Sequence, residues 1–158
     1  MKKRHIGVYI LWIALAEATG VLSGWLTRDG AAQYSQSIVQ PPLSPPPVVF
    51  PVVWGILFAL MGVSAARIFL APSSQARPRG LLIFFLQLFF NFLWSILFFN
   101  LQAFGFALIW LIVLWALIVL MIVSFSKTDL LAARLQIPYL VWVSFAAYLN
   151  LGVWLLNR

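Results

Sequence analysis

The chain offers few side chains for acid, base or nucleophilic catalysis. Its single histidine, His5, lies beside the amino terminus, so no internal imidazole can serve as a base, a metal ligand or a haem axial ligand. The chain has no cysteine, and no serine has an evident histidine or lysine partner. Neither a glycine-rich phosphate loop nor a metal-spaced acidic cluster occurs. We therefore expect no catalytic residue, no metal site and no bound cofactor.

Two stretches instead combine amide and aromatic side chains at helical spacing, which places each set on one helix face. Amides exposed to lipid go unpaired, so both faces should point into the protein. Interhelical hydrogen bonding and packing explain each residue singly, while the two stripes together favour a pocket. The first stripe is Gln87, Asn91, Trp94, Ser95 and Phe98, and the second is Tyr139, Trp142, Phe145, Ala146, Leu149 and Asn150.

The eight tryptophans divide by their depth in the apolar stretches. Trp54, Trp94 and Trp142 each lie about a third of a helix in from one end of a span of about 20 residues, among polar and small residues. A flat apolar ligand gains about 0.5 to 1.5 kcal/mol per well-placed aromatic contact beyond the area that it buries. The expected ligand is therefore planar and hydrophobic. The other five tryptophans are expected to face lipid or the membrane interface: Trp12, Trp25, Trp110, Trp115 and Trp154.

Glu17 is the only acidic residue deep in an apolar stretch. An ionisable side chain within a membrane costs roughly 2.5 to 3.5 kcal/mol on insertion, so it needs a reason. Two interpretations stay open: a neutral acid bonded to a neighbour, or a ligand or proton site. A transporter or proton pump would line its path with several such groups, and a single Glu argues against that class.

Composition sets the fold class. Of 158 residues, 64% are hydrophobic and only 8% are charged, against roughly 25% charged residues in soluble domains. Membrane helices need about 20 mostly apolar residues, and unbroken apolar runs do not alternate as barrel strands do. We predict an all-α integral membrane protein, a bundle of five transmembrane helices in a single domain over residues 1–158. The predicted helices span residues 6–26, 48–70, 80–101, 103–125 and 135–156.

The net charge of +7 is interpreted as a topology signal and not as a nucleic-acid footprint, because the basic residues flank the apolar runs. The positive-inside rule predicts a multi-pass protein of the cell membrane with a cytoplasmic amino terminus. The first run is too long for a signal peptide and is expected to be retained. Alternating loops put Lys2, Lys3, Arg4, Arg67, Arg77, Arg79, Lys127 and Arg134 on one side, and Arg28 and Arg158 on the other.

The first connection, residues 27–46, is the longest. A structureless loop of about 20 residues is uncommon unless it is functional. Residues 40–47 read Gln-Pro-Pro-Leu-Ser-Pro-Pro-Pro, and proline fixes φ and removes backbone donors, so we predict a stiff polyproline-like strap. The strap is either a plain spacer or a rigid lid over the helix ends, and its apolar, stiff character favours the lid.

Three motifs in this order resemble the TspO/MBR family, the tryptophan-rich sensory proteins that include the mitochondrial translocator protein. The resemblance covers nearly the whole chain. The motifs are Pro-Pro-Leu-Ser-Pro-Pro over 41–46 followed by Val-Phe-Pro-Val-Val-Trp-Gly over 49–55, Gln-Leu-Phe-Phe-Asn-Phe-Leu-Trp-Ser over 87–95, and Leu-Ala-Ala-Arg-Leu-Gln-Ile-Pro-Tyr-Leu-Val-Trp over 131–142.

The resemblance implies a five-helix bundle, often a homodimer, with a pocket under the first loop. That pocket would bind porphyrins such as protoporphyrin IX, as ligands and not as histidine-ligated haem, and drugs of the isoquinoline-carboxamide or benzodiazepine type. Tyr34 corresponds to the family's loop aromatic, at a spacing to the prolines that is shifted by one. The other implied ligand-binding residues are Trp54, Phe58, Asn91, Trp94, Trp142, Phe145, Ala146 and Asn150.

Three functions are therefore open. The leading hypothesis is a membrane receptor or sensor for porphyrins and similar planar ligands. In some bacterial members of the family, the equivalents of Trp54 and Trp142 are implicated in light-dependent porphyrin breakdown, so a porphyrin-degrading enzyme is the alternative. A porphyrin transporter is the third. Cholesterol binding is not expected, because no basic residue follows Tyr148 until Arg158.

Overall fold

The computed structural model describes residues 2–158, with side chains from His5 onward. That part of the chain is helical and contains no strand. A π-helical turn over Ile96–Asn100 extends the fourth helix. The α-helices are α1 (Lys2–Leu26), α2 (Arg28–Ser37), α3 (Val49–Leu70), α4 (Ala76–Ser95), α5 (Phe104–Ser126), α6 (Leu130–Arg134) and α7 (Ile137–Leu156).

Five helical segments of the described chain are long and apolar enough to cross a membrane, which confirms the predicted fold class. The third segment begins at Ala76, four residues before the predicted start, because Pro78 lies in the first helical turn, where its missing N–H is not needed. The protein is a multi-pass membrane protein. The spans are His5–Leu26, Val49–Leu70, Ala76–Asn100, Phe104–Ser126 and Leu130–Leu156.

The bundle buries one set of large apolar side chains and exposes another on its surface. Met61, Phe84 and Ile118 are fully buried, whereas Ile10 and Ile109 are each 62% exposed. An exposed apolar surface of this kind is stable in contact with lipid tails, where no water has to be ordered around it. Most of the helix contacts join α1 to α3, α4 to α5, and α5 to α7.

Glycine allows the closest approach between α1 and α3. A Cβ atom on Gly62 would press against the Cα atom of Ile13 and lie 2.7 Å from its backbone nitrogen. A Cβ on Gly20 would lie 2.5 Å from the ring of Phe58. Small residues four apart predict such close helix packing, and the sequence has them at Ala16, Gly20 and Gly24 in α1 and at Gly62 and Ala66 in α3. Gly24 has no neighbour within 4 Å at its Cβ position and does not take part in that packing.

The first connection is not the structureless loop that its length and prolines suggest. Residues 28–37 form α2, and the proline-rich strap, predicted over residues 40–47, is the non-helical segment over residues 38–48. The hydroxyl of Thr27 donates to the carbonyl of Ser23 at 2.8 Å, so the chain leaves α1 along an almost helical path. Alanine and glutamine residues within 28–37 then sustain the short helix, since both favour helical backbone.

An ion pair joins the helices at the end of the bundle opposite α2. The Arg67 Nη2 atom lies 2.7 Å from Asp129 Oδ2, and the other carboxylate oxygen of Asp129 accepts a hydrogen bond from the Ala132 N–H at 3.0 Å. Partial burial of Asp129 opposes ionisation, but these hydrogen bonds and the charge of Arg67 outweigh it and lower the pKa of Asp129. Asp129 therefore both caps α6 and ties it to α3.

The lowered pKa of Asp129 predicts an acid-dependent loss of stability. The carboxylate stabilises the fold above the ordinary Asp pKa of about 3.9, and this contribution disappears as the pH falls through the lowered value. Asp129→Asn keeps the helix cap and removes the charge, so we expect a loss of about 1 kcal/mol at pH 7 that becomes smaller as the pH falls below about 3.9. Unfolding in denaturing detergent, followed by circular dichroism between pH 3 and pH 7, measures this difference.

Asp29 provides the control, because its nearest cation, Arg28, lies 3.9 Å away and both side chains are exposed. Asp29→Asn should leave the pH dependence unchanged. If Asp129→Asn and the unmodified protein lose stability in parallel on acidification, the ion pair does not have this role.

Five of the basic residues that the sequence assigns to the amino-terminal side cluster at the Asp129 end of the bundle. The predicted positions of Lys2, Lys3 and Arg4 lie outside the described side chains. The five cluster members are Arg67, Arg77, Arg79, Lys127 and Arg134, and the opposite end carries Arg28 and Arg158.

Candidate functional site

A cavity of about 480 Å³ opens inside the bundle at the α2 end. Helices α1, α3, α4 and α7 form its walls, and α2 and the strap, residues 38–48, cover it. The volume lies within the roughly 300 to 1,000 Å³ that small-molecule pockets usually have. The cavity can therefore enclose an organic ligand within the membrane-spanning part of the fold.

A chain of hydrogen bonds lies at the floor of the cavity. The Asn91 side-chain N–H donates to the Tyr139 hydroxyl at 2.8 Å, and that hydroxyl donates to Gln87 Oε1 at 2.7 Å. The Gln87 amide N–H points to the sulfur of Met61 at 3.7 Å. Because the thioether sulfur can only accept, the Gln87 N–H faces Met61 and the Gln87 oxygen faces Tyr139. The Tyr139 hydroxyl therefore donates to Gln87 and accepts from the Asn91 N–H. The Asn91 carbonyl oxygen is left without a donor among the described residues.

A second network secures the part of the wall formed by Trp94. The Trp94 indole N–H donates to Asn150 Oδ1 at 3.1 Å, and the Asn150 amide donates to the Phe104 carbonyl at 2.8 Å. The indole also stacks on Phe98, with ring centroids 4.9 Å apart. These contacts fix the plane of Trp94 before any ligand arrives.

Two other tryptophans face the cavity with unused indole N–H groups. Trp54 packs against Phe58 at 5.5 Å and against Tyr139 at 6.1 Å between ring centroids, and Trp142 packs against Phe50 at 5.9 Å. Within the described residues, neither indole N–H has a hydrogen-bond acceptor. The walls thus combine apolar ring faces with two available donors, as expected of a pocket for a flat ligand with polar edge groups.

Tyr34 on α2 belongs to the roof of the cavity, which comprises α2 and the strap. Its ring lies 5.3 Å from that of Phe98 and 5.4 Å from that of Phe99, between centroids. Burial among these rings raises the pKa of Tyr34 to about 12, so its hydroxyl stays protonated at neutral pH. Tyr34 can donate a hydrogen bond to a ligand and carries no charge.

The strap is fastened to α7. The Val39 N–H donates to Asn157 Oδ1 at 2.9 Å, and the Asn157 amide donates back to the Val39 carbonyl at 2.8 Å. Pro41 packs so closely on Gly152 that a Cβ there would lie 2.5 Å from the proline ring. The strap is therefore seated over the helix ends, and a simple spacer needs no such contacts.

Eight of the nine ligand-binding residues suggested by the sequence line this one cavity. Phe145 does not: its ring lies 5.7 Å from that of Trp142 and 6.1 Å from that of Tyr148, between centroids. Ala146 takes the inward position, and Phe145 is turned about 100° away on the same helix. The eight that line the cavity are Tyr34, Trp54, Phe58, Asn91, Trp94, Trp142, Ala146 and Asn150.

One wall was not predicted as part of the site. The face of α1 toward the cavity carries small and polar residues at helical spacing, a pattern that also serves helix packing. Ser23 and Thr27 are the polar members whose spacing could have indicated a lined wall. Glu17, whose role the sequence left open, lies on this wall. Its members are Glu17, Gly20, Val21, Ser23, Gly24 and Thr27.

The five tryptophans expected at the lipid surface or membrane interface are not all exposed. Trp12 is 8% exposed and lies against Phe69, Phe84 and Phe85 in the core, so its assignment to the surface is wrong. It lies on the inward face of α1, one turn before Ala16, which is fully buried. Trp25, Trp115 and Trp154 are exposed, and Trp110 is half-buried.

The lining of the cavity holds few ionisable side chains. No group of three or more His, Cys, Asp or Glu in the described residues could hold a metal ion. Glu17 is the one carboxyl among the described lining residues, and none of these is Lys or Arg. The cavity therefore offers aromatic faces, two free indole donors, the Asn91 carbonyl and a single acid.

Comparison with known proteins identifies relatives over almost the whole chain. The model of the TspO/MBR family matches residues 12–155. The tryptophan-rich protein TspO of Chlorobaculum tepidum is 36% identical, with 98% of each chain covered. The tryptophan-rich sensory protein of Cereibacter sphaeroides is 30% identical over 95% of this chain and 91% of its own. The translocator protein of Bos taurus is 30% identical over 88% and 83%, respectively.

Proposed function

Since the chain belongs to the TspO/MBR family, we propose that it is a membrane receptor or sensor that binds porphyrins and similar planar hydrophobic ligands in the cavity under the strap. One observation carries the proposal: Trp54, Trp94 and Trp142 line a single closed-over cavity on three different helices. A flat ring system buried there would contact aromatic faces on several sides. Relatives named as sensory proteins support a receptor role.

The polar groups of the cavity suit a porphyrin whose edges carry acceptors. The indole N–H groups of Trp54 and Trp142 and the hydroxyl of Tyr34 can donate to carboxylate or carbonyl oxygens. Because the cavity has no histidine, the ring would be held by packing and hydrogen bonds. No step of this binding needs an axial ligand from the protein.

We also propose residence in the cell membrane with the amino terminus in the cytoplasm. The cluster of basic residues at the Asp129 end supports that orientation, because positive charge is enriched on the cytoplasmic side. The cavity would then open toward the outer side. A homodimer is a further part of the proposal, on the resemblance to family members that pair.

Titration with protoporphyrin IX tests the receptor proposal. Saturable quenching of tryptophan fluorescence is expected, and Trp142→Ala should weaken the apparent affinity about tenfold, because one aromatic wall and one donor are lost. Purified protein in detergent micelles, titrated in the dark, gives this measurement. The same titration under illumination separates a binder from a porphyrin-degrading enzyme, since only the enzyme yields a new absorbing product that is lost in Trp54→Phe.

The matched control is Trp25→Ala, which removes a tryptophan that is 58% exposed and lies outside the cavity. Its affinity should equal that of the unmodified protein. Quenching that is unaffected by combining Trp54→Ala with Trp142→Ala would place the porphyrin elsewhere.

A further inference from the structure

Glu17 is a carboxyl group within a membrane span, and it has no hydrogen-bond or ion-pair partner among the described residues. Within the described residues no donor bonds to its side chain, and the two ion pairs there involve Asp29 and Asp129. The Glu17 side chain lines the cavity, so it does not face lipid alone. An acid held at this depth has a large insertion cost, and a cationic group bound in the cavity would offset that cost.

Aromatic rings line the same cavity as this carboxyl group. Gly20 is three residues beyond Glu17 on the same face of α1, and the ring of Phe58 packs directly on it. Trp54 lies next to Phe58, with 5.5 Å between ring centroids. A carboxylate beside aromatic faces is the arrangement that recognises a protonated or quaternary nitrogen, since the ring quadrupole and the anion attract the same cation.

The same wall offers a polar path to this position from the roof. Ser23, Gly24 and Thr27 continue the face of α1 from Glu17 toward α2, and all three line the cavity. Small side chains leave room beside the helix, and the hydroxyls can hydrate an entering polar group. A charged nitrogen can therefore reach Glu17 without crossing the lipid-facing surface.

We propose that Glu17, Phe58 and Trp54 form a cation subsite in which the cavity binds the protonated nitrogen of an amine-bearing planar ligand. The proposal rests on the function proposed above for the same cavity and adds a second class of ligand to it. No Lys or Arg among the described lining residues competes for the carboxylate. For an anionic ligand, the same charge directs carboxylates away from α1 and toward the roof.

Three pyrene derivatives of nearly equal size test the subsite: 1-pyrenemethylamine, which is cationic at pH 7, neutral 1-pyrenemethanol and anionic 1-pyrenecarboxylic acid. Energy transfer from tryptophan to pyrene reports binding to the full chain in phosphatidylcholine nanodiscs. The unmodified protein should prefer the amine to the alcohol. Glu17→Gln should weaken amine binding about tenfold and leave alcohol binding within about twofold, because only one charge is removed.

Glu17→Asp keeps the charge on a shorter side chain and should restore part of the preference for the amine. Asp29→Asn removes an exposed acid outside the cavity and should change nothing. Equal amine affinity in Glu17→Gln and the unmodified protein, with the alcohol still bound, overturns the subsite and leaves the proposed receptor intact. Failure of all three compounds and of protoporphyrin IX to bind overturns both.

Discussion

Gly62→Ala is expected to destabilise the bundle by about 3 kcal/mol, because the added methyl group cannot be accommodated between α1 and α3. The methyl would press on the Cα of Ile13 and lie 2.7 Å from its nitrogen, and both are backbone atoms. Backbone cannot rotate away as a side chain can, so the two helices must separate along a contact that both depend on. Reversible unfolding in mixed micelles of mild detergent and dodecyl sulfate measures the loss.

Gly55 on the same helix provides the matched control. Its Cβ position has no neighbour within 4 Å, so Gly55→Ala adds a methyl group without a clash. That variant should be as stable as the unmodified protein or slightly more stable, since alanine favours the helix. If the two variants unfold at the same denaturant concentration, α1 and α3 can adjust and the close approach at Gly62 does not limit stability.

Tyr139→Phe is expected to destabilise the protein by about 2 kcal/mol and to weaken porphyrin binding. The fully buried hydroxyl both accepts from Asn91 and donates to Gln87, so its removal leaves the Asn91 N–H and the Gln87 carbonyl oxygen without their partner inside the membrane. Asn91 would also lose its fixed orientation at the cavity floor. Unfolding midpoints and protoporphyrin IX titration, made on the same preparation, measure the two effects.

Tyr148→Phe is the control for the loss of a hydroxyl. That hydroxyl donates to the Pro42 carbonyl at 2.8 Å, at an exposed position where water can replace it. Its removal should change stability by less than about 0.5 kcal/mol. A Tyr139→Phe variant that is as stable as Tyr148→Phe would mean that the buried amides find other partners.

The sequence was sufficient for the spans and for most of the cavity lining, for a physical reason. In lipid, only a helix satisfies every backbone group, so five apolar runs leave little choice of architecture. Amides such as Asn91 and Asn150 must face inward once they lie in a span, and they bring Trp94 with them on the same face.

The sequence did not assign every aromatic side chain correctly, because hydrophobicity alone does not tell whether a residue in a span faces lipid or the protein interior. In a span, aromatic residues are stable both against lipid and in the core, so the sequence could not place Trp12, which the packing of α1 on α4 buries. Phe145 lies on the edge of its stripe, where a rotation of α7 by a fraction of a turn decides what it contacts. The helix α2 was missed because prolines further along the connection suggested an extended chain throughout.

The α1 wall shows a third limit. Small residues such as Gly20 and Gly24 have the same spacing whether they meet a helix or a cavity. Gly20 meets the ring of Phe58, whereas Gly24 has open space beside it. Whether a small residue of α1 meets another helix or borders the cavity depends on how far the helices separate near α2. That separation depends on the bulk of side chains elsewhere in the bundle.

The two hydrogen bonds between Val39 and Asn157 have a kinetic consequence. Asn157 directly follows the last turn of α7, so the roof is latched by the final residues of the described chain. When the last turn of α7 frays, the hydrogen bonds to Val39 break and the roof is released at the same time. The residence time of an enclosed ligand then depends on the stability of that turn. A fusion partner placed after Arg158 would be attached next to these hydrogen bonds, whereas one at the amino terminus would lie at the far end of α1.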